Sequence, residues 1–312
     1  MRAQFSGKGS GTTDDPYLIT TANELNQTRN NLEACYKLMR DIDLTEWLSE
    51  NNPSQGWMPI GAKDEPFKGT FDGNGKTVKL FINRPDQEYV GFMGVVDHAT
   101  IKNLTVKGNI TGKTAVGGII GYCNIQWLPV CEIENCHYVG NVNGGGIVGK
   151  MSSNGSLVPT IKNCSFTGKA EAGIVYRCEM VYIQGCKVNA TIESENHAGG
   201  IIGIIYPGKY SERKYGSNEW VDHFSKVYDC SVSGHIKGNN AGGIVGSSAA
   251  LEVYNNLITA DVEGTNAGGI LGGKTGYTDV SVAKTSITKN VIASAEIRGT
   301  NTVGVVSGTP DA

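Results

Sequence analysis

Long apolar runs are missing from this 312-residue chain. The longest cover about five residues, far short of the ~20 that cross a bilayer as a helix, so no membrane span is expected. The opening Met1-Arg2-Ala3-Gln4-Phe5-Ser6 has no apolar signal region. That leaves either a cytoplasmic protein or one whose signal peptide is absent from this sequence. His-Glu-x-x-His is absent too, because none of the histidines (His98, His137, His197, His223, His235) is followed by Glu. Zinc-peptidase chemistry therefore lacks its ligands. The 8 cysteines include no C-x-x-C pair, and the one glycine-rich run that closes on Gly-Lys-Thr, Gly268–Thr275, has no helix-start signal after it. Zinc-ribbon and phosphate-loop chemistry are excluded with them. Charge is scarce as well, at 18% of residues with a net of −3 and evenly spread Lys and Arg. No basic face for nucleic acid is expected.

What the chain does have is glycine, 43 residues of it, about twice the usual share. Much of it sits in a recurring motif: VGFMG at Val90–Gly94, VGGIIG at Val116–Gly121, GGGIVG at Gly144–Gly149 and AGIVY at Ala172–Tyr176. AGGIIG at Ala198–Gly203, AGGIVG at Ala241–Gly246, AGGILG at Ala267–Gly272 and VGVVSG at Val303–Gly308 follow. Marker glycines Gly91, Gly118, Gly146, Gly173, Gly200, Gly243, Gly269 and Gly304 are spaced by 27, 28, 27, 27, 43, 26 and 35 residues. Between them run alternating segments such as IKNLTVKGNI from Ile101, IENCHYVGNV from Ile133 and IKNCSFTGKA from Ile161. Period-two alternation with β-branched residues indicates strands. A unit this short cannot bury its own apolar face, so units must stack. The expected fold is all-β: a right-handed parallel β-helix of about nine coils, one repeat per coil, ~4.8 Å apart.

Columns of like residues support stacking. Asn103, Asn135, Asn163, Asp229 and Asn255 share one position, where amides bond along the axis and an Asx residue tolerates a left-handed bend. After them come Leu104, Cys136, Cys164, Cys186, Cys230 and Asn256. This reads as core packing by a small hydrophobe rather than a metal or disulfide array. Cys123 and Cys131 flank one short loop, and a disulfide between them stays open. The paired glycines are expected at corners that need positive φ or close coil approach. Asp72-Gly73-Asn74-Gly75 reads as a hairpin-type turn, since the remaining ligands of a calcium loop are missing.

The N-terminal region breaks the period. Thr21-Ala22-Asn23-Glu24 is a capping box that predicts a short helix ending near Cys35, placed to cover the open end of the first coil. DPYLITTANEL, YKLMRDIDL, WMPIG, PFKGTFDGNGKTV, VGFMG and IKNLTV resemble the extracellular bacterial repeat proteins that carry GLUG motifs. Related segments occur in the amino-terminal region of immunoglobulin A1-specific metallopeptidases. The resemblance implies a β-helix, export to the surface of a bacterium, and no catalytic residues. Extracellular or cell-surface location is thus expected. It also divides the chain into a flexible leader (1–13), a cap with the first coils (14–95) and GLUG-type repeats (96–312), the last two forming one solenoid.

Glycoside hydrolysis needs two carboxyl groups facing each other, and Glu132, Glu134, Glu179, Glu193 and Glu195 form no convincing column. The longer loops are Tyr122–Val130, Lys150–Pro159, Tyr206–Phe224 and Gly273–Lys284, all following the glycine-marked strand and so lying on one edge. Tyr206–Phe224 adds about 16 residues to its coil and is rich in aromatic and basic side chains. Trp127, Tyr210, Tyr215 and Trp220 are the expected ligand contacts. The expected function is non-catalytic binding or adhesion to a glycan, mucin or surface protein, without metal or cofactor. A polysaccharide-degrading β-helix enzyme and a structural stalk are the alternatives.

Overall fold

Alternating strand segments lie on three faces of a stack of coils. The structure is a computed structural model and describes residues 4–125, 130–153, 158–206, 210–213, 220–248, 250–274, 285–293 and 295–306. The first face is a parallel ladder of ten rungs. It starts with Tyr17–Ile19 and Cys35–Leu38, continues through Thr70–Lys79, Thr100–Lys107 and Glu132–Glu134, and ends at Thr285–Thr288. The second face carries His137–Asn141, Ser165–Ala170, Lys187–Gly199 and Ser231–Gly242, each in parallel register with the next. Met93–Val96, Ile120–Ile125, Val148–Ser153, Val175–Cys178, Ile202–Ile205, Val245–Ser248 and Leu271–Lys274 form the third. All-β architecture with parallel strands in every large sheet is consistent with a β-helix-like solenoid.

Register puts like residues on top of one another inside. Ile101, Ile133, Ile161, Ile183, Val227 and Val253 form one buried column. Full burial of each such side chain contributes about 1.5–3 kcal/mol. Beside it, Tyr138 stacks on Phe166 with ring centroids 5.9 Å apart, and the Tyr138 hydroxyl donates to the Gly108 carbonyl at 2.7 Å. Cys136, Cys164, Cys186 and Cys230 are buried free thiols. Burial pushes the Cys164 and Cys178 thiols up, so they behave as apolar filling. Cys123 and Cys131 are likewise free and buried.

The bend between the first and second faces is where φ turns positive. Asn103, Asn135, Asn163, Asp229 and Asn255 have φ between 51° and 57°, and Gly185 takes the same place at 65°. The amides climb the axis: Asn103 Nδ2 donates to Asp72 Oδ1 at 3.0 Å, and Asn135 Nδ2 donates to Asn103 Oδ1 at 3.2 Å. Asp72 begins this ladder, which corrects the hairpin reading of Asp72-Gly73-Asn74-Gly75. The segment lies within the strand Thr70–Lys79 as an irregularity of register between Asp72 and Lys76. Its neighbours run parallel to it, so the chain goes on around the coil instead of reversing. The paired glycines serve close approach alone. A Cβ on Gly118 would lie 2.3 Å from the Gly146 carbonyl oxygen and 2.3 Å from Tyr138 Cγ.

At the N-terminal end the capping box forms as expected, with Thr21 accepting from the Glu24 backbone. The helix is shorter than predicted. Ala22–Asn26 passes into a 3₁₀ turn at Gln27–Asn30, and Cys35 opens a strand. Asn31 already has extended φ and ψ of −143° and 93°, and its carbonyl accepts the Tyr36 hydroxyl at 2.8 Å. Leu25 of the helix is fully buried, while Lys8 bridges Leu18 antiparallel on the first rung. A second helix, Thr45–Asn51, carries no strong signal in the sequence. Asp43 accepts from the Thr45 hydroxyl and backbone N–H, and these bonds, with Lys79, lower its carboxyl to about 2.

Two outcomes test this arrangement. Asn135→Ala, which loses both the amide and the tolerance of positive φ, should cost about 1–2 kcal/mol in urea unfolding. Asn135→Gly, which keeps the bend, should cost clearly less. Native thiol titration should label Cys35, the one half-buried cysteine, well ahead of the other seven, and unfolding should release them all.

Candidate functional site

The predicted loop residues divide between described and undescribed parts. Tyr210–Arg213 and Trp220–His223 pair antiparallel, Tyr210 opposite His223 and Arg213 opposite Trp220. The insertion is thus a hairpin between two rungs of the solenoid. The side chains of Tyr210 and Trp220, and the whole of Trp127 and Tyr215, lie outside the described residues. Phe224, at the hairpin's foot, is buried at 5% exposure. The acids Glu132, Glu134 and Glu193 face Thr160, Lys162 and Lys237 on the next coil, so no acidic column forms.

A cleft of about 650 Å³ lies at the junction of the second and third faces. It comes from unequal coils. Six residues, Thr111–Val116, separate Ile110 from Gly117, but only Asn143 and Gly144 separate their stacked partners Val142 and Gly145. On the next coil Glu171 alone separates Ala170 from Ala172, and then six residues, Glu193–Ala198, separate Ile192 from Gly199. Two short coils thus sit between two wide ones, and the walls stand three coil spacings apart, about 14 Å. Glu88–Val90 pairs with Thr114–Val116 to form one wall, and Glu193–Asn196 forms the other.

Tyr176 organises the floor. Gly94, Gly121, Gly149, Gly203, Gly246 and Gly272 end the repeat motif in the other described copies, and Tyr176 replaces that glycine beside the shortest coil. Its side chain stands beside Glu171, Arg177 and Ser194, bringing floor and wall together. Arg177 Cζ lies 5.1 Å from the Tyr176 ring centroid. Burial holds the Glu171 carboxyl above its ordinary range; Tyr176 and Arg177 pull it back, and Glu195 adds to the rise. Burial also raises the Tyr176 hydroxyl, with Glu171 adding to it. On the opposite wall, Tyr89 has φ of 59°, rare for a bulky residue. Its ring stacks on Tyr122 at 5.3 Å, and Lys150 Nζ lies 5.1 Å from the Tyr122 centroid. Tyr122, Lys150 and Arg177 occupy one outward column of the third face.

A shallow trough of about 740 Å³ follows the wide coils beyond. Glu193, Lys237, Glu263 and Arg298 share one register column of alternating sign. Lys237 pairs with Glu263 at 2.7 Å and Lys169 with Glu193. These charges largely satisfy one another, so the column reads as a solvated outer seam. Among the described residues no group of three His, Cys, Asp or Glu could hold a metal ion, and no helix is long and apolar enough to cross a membrane.

The cleft yields a stability prediction. Glu171 binds its proton more tightly folded than unfolded, so its stabilising contribution is complete below its unfolded value near 4.5 and is lost as pH rises through the raised folded value. Glu171→Gln should therefore raise the melting temperature at pH 7–8 and leave it unchanged near pH 4.

No family model matches the chain. A protein named "Putative Gly-rich membrane protein" from Evansella cellulosilytica is 39% identical over 121 residues, covering 38% of this chain and 14% of that protein. Halomucin from Haloquadratum walsbyi is 32% identical over 149 residues, covering 37% of this chain and 2% of halomucin. The chain therefore spans a small part of either relative. In three dimensions it resembles a solved structure described as "a putative immunoglobulin A1 protease from Bacteroides ovatus", with a TM-score of 0.54 and 19% identity over 96% of this chain and 84% of that one. At that identity the likeness speaks for the fold alone.

Proposed function

We propose that this chain is a non-catalytic extracellular binding or adhesion module of a bacterial surface, recognising a glycan or protein along one edge of its solenoid. In this reading residues 14–95 are the cap and first coils of a right-handed β-helix, 96–312 are GLUG-type repeats, and 1–13 lead into them. Right-handedness follows the usual sense of crossovers between parallel strands. The cleft carries the proposal: it is walled and aromatic, with both donors and acceptors converging on its floor. Names of surface type among the relatives agree with an exported module. The loops with Trp127, Tyr210, Tyr215 and Trp220, at the other edge of the third face, add contacts in this reading.

One observation favours a second reading, a polysaccharide-cleaving enzyme: Glu171 lies near Glu195 with its carboxyl raised. Glycan and mucin arrays with the purified chain separate the two. Binding without release of reducing ends or unsaturated sugars is expected. Tyr176→Gly, which restores the repeat's own glycine, should weaken binding by the folded protein at least tenfold. Trp220→Ala, read in the same assay, reports the share carried by the hairpin. Turnover of a bound glycan, abolished in Glu171→Gln, would replace the binding reading with the enzymatic one.

A further inference from the structure

The cleft's chemistry is narrower than binding in general. Its two aromatic elements, Tyr89 on one wall and Tyr176 at the floor, offer apolar ring faces with polar tips. Between them Glu171, Glu195 and Arg177 present acceptors and donors side by side. A pyranose ring has the matching surface: an apolar C–H face, and an edge of hydroxyls that each donate and accept.

Two competing ligand classes fit less well. A polyanion would meet Glu88, Glu171, Glu193 and Glu195 against Lys113, Lys150 and Arg177, so acids outnumber bases in the lining. Added negative charge would face an acid that already resists ionisation through burial and a carboxylate neighbour. A peptide could not add as a strand at the floor, where backbone bonds are already used between coils. The N–H groups of Glu171 and Ala172 both donate to the Gly144 carbonyl, at 2.9 and 3.1 Å, and Gly145 bridges Ala172. That removes the usual backbone route to peptide capture.

We infer that the cleft between the Glu88–Val90 and Glu193–Asn196 walls is a subsite for uncharged sugar units, lying across the two short coils with a ring face on Tyr89 and hydroxyls on Glu171 and Arg177. This rests on the binding reading and names its ligand class. The strained backbone at Tyr89 acquires a role here, since it holds the ring stacked on Tyr122 at the edge of the cleft.

Titration calorimetry on the full chain tests the assignment with three probes: neutral oligosaccharides (β-linked gluco-, xylo- and N-acetylglucosamine series), polygalacturonate, and an extended polar peptide. At least one neutral series should bind, and polygalacturonate should bind at least tenfold more weakly. Tyr89→Ala should weaken the neutral sugar at least tenfold. The stacked neighbour Ala115 already accommodates positive φ, at 50°, so the variant should fold. Polygalacturonate or peptide binding in place of neutral sugar would overturn the ligand class and spare the binding reading. So would neutral-sugar binding indifferent to Tyr89→Ala, which would put the sugar elsewhere. Silence from all three probes, with an intact melting curve, would count against the class and the reading together.

Discussion

In-register stacking of parallel coils is the constraint from which everything else in this structure follows. Each coil donates its backbone to the next at one fixed spacing, so a residue's position around the coil decides its neighbours above and below. A slip by one residue would turn the buried Ile and Val columns outward. The left-handed bend guards against that slip. Asn, Asp and Gly, which tolerate it best, fill it in every coil from Asn103 to Asn255, Lys289 follows in the last, and the side-chain amides bond from coil to coil. Outside, the alternating column Glu193, Lys237, Glu263, Arg298 favours the same register by opposite-sign neighbours.

Stacking fixes the spacing but leaves each coil free to distribute its residues. Four consecutive repeats have nearly equal length, yet they place their spare residues on different edges. Between the third and first faces lie three residues after Val96, six after Ile125, six after Ser153 and three after Cys178. Across the other corner the same coils carry six, two, one and six. The two coils with the longer connections at one edge are therefore the two that retreat at the other. Loop and cleft are consequences of one redistribution, on either side of the strands bearing Tyr122, Lys150 and Arg177.

That redistribution explains what could be read from the sequence. Repeat period, inward columns, the amide ladder and the buried thiols were legible because stacking forces like residues into like places. The capping box was legible because its chemistry is local. The second helix was not, being seven residues long and capped from Asp43, before its first turn. Its Trp47 is held by Asn23, across a separation of 24 residues. The cleft stayed hidden for another reason. Steps of 27, 28, 27 and 27 residues between marker glycines conceal a deletion at one corner balanced by an insertion at the other. Only Tyr176, breaking a run of motif-ending glycines, marked the place.

Tyr176 also shows why the departure from the repeat matters chemically. A glycine at this position packs against the neighbouring wall, as Gly149 does, where an added Cβ would lie 2.4 Å from Ala115 and Val116 backbone atoms. Only where that wall has shrunk to Asn143 and Gly144 is there room for a ring. Once the ring is there, it stands beside the floor acid, Arg177 and Ser194 of the next wall. Tyr176 and Arg177 offset part of the cost of burying the Glu171 carboxylate. The short coil thus makes the space, the tyrosine fills its base, and the acid beside it keeps enough solvent contact to meet a ligand. A repeat protein acquires a site in this way without altering its scaffold: the coil keeps its length and its core, and one glycine gives way to one aromatic ring.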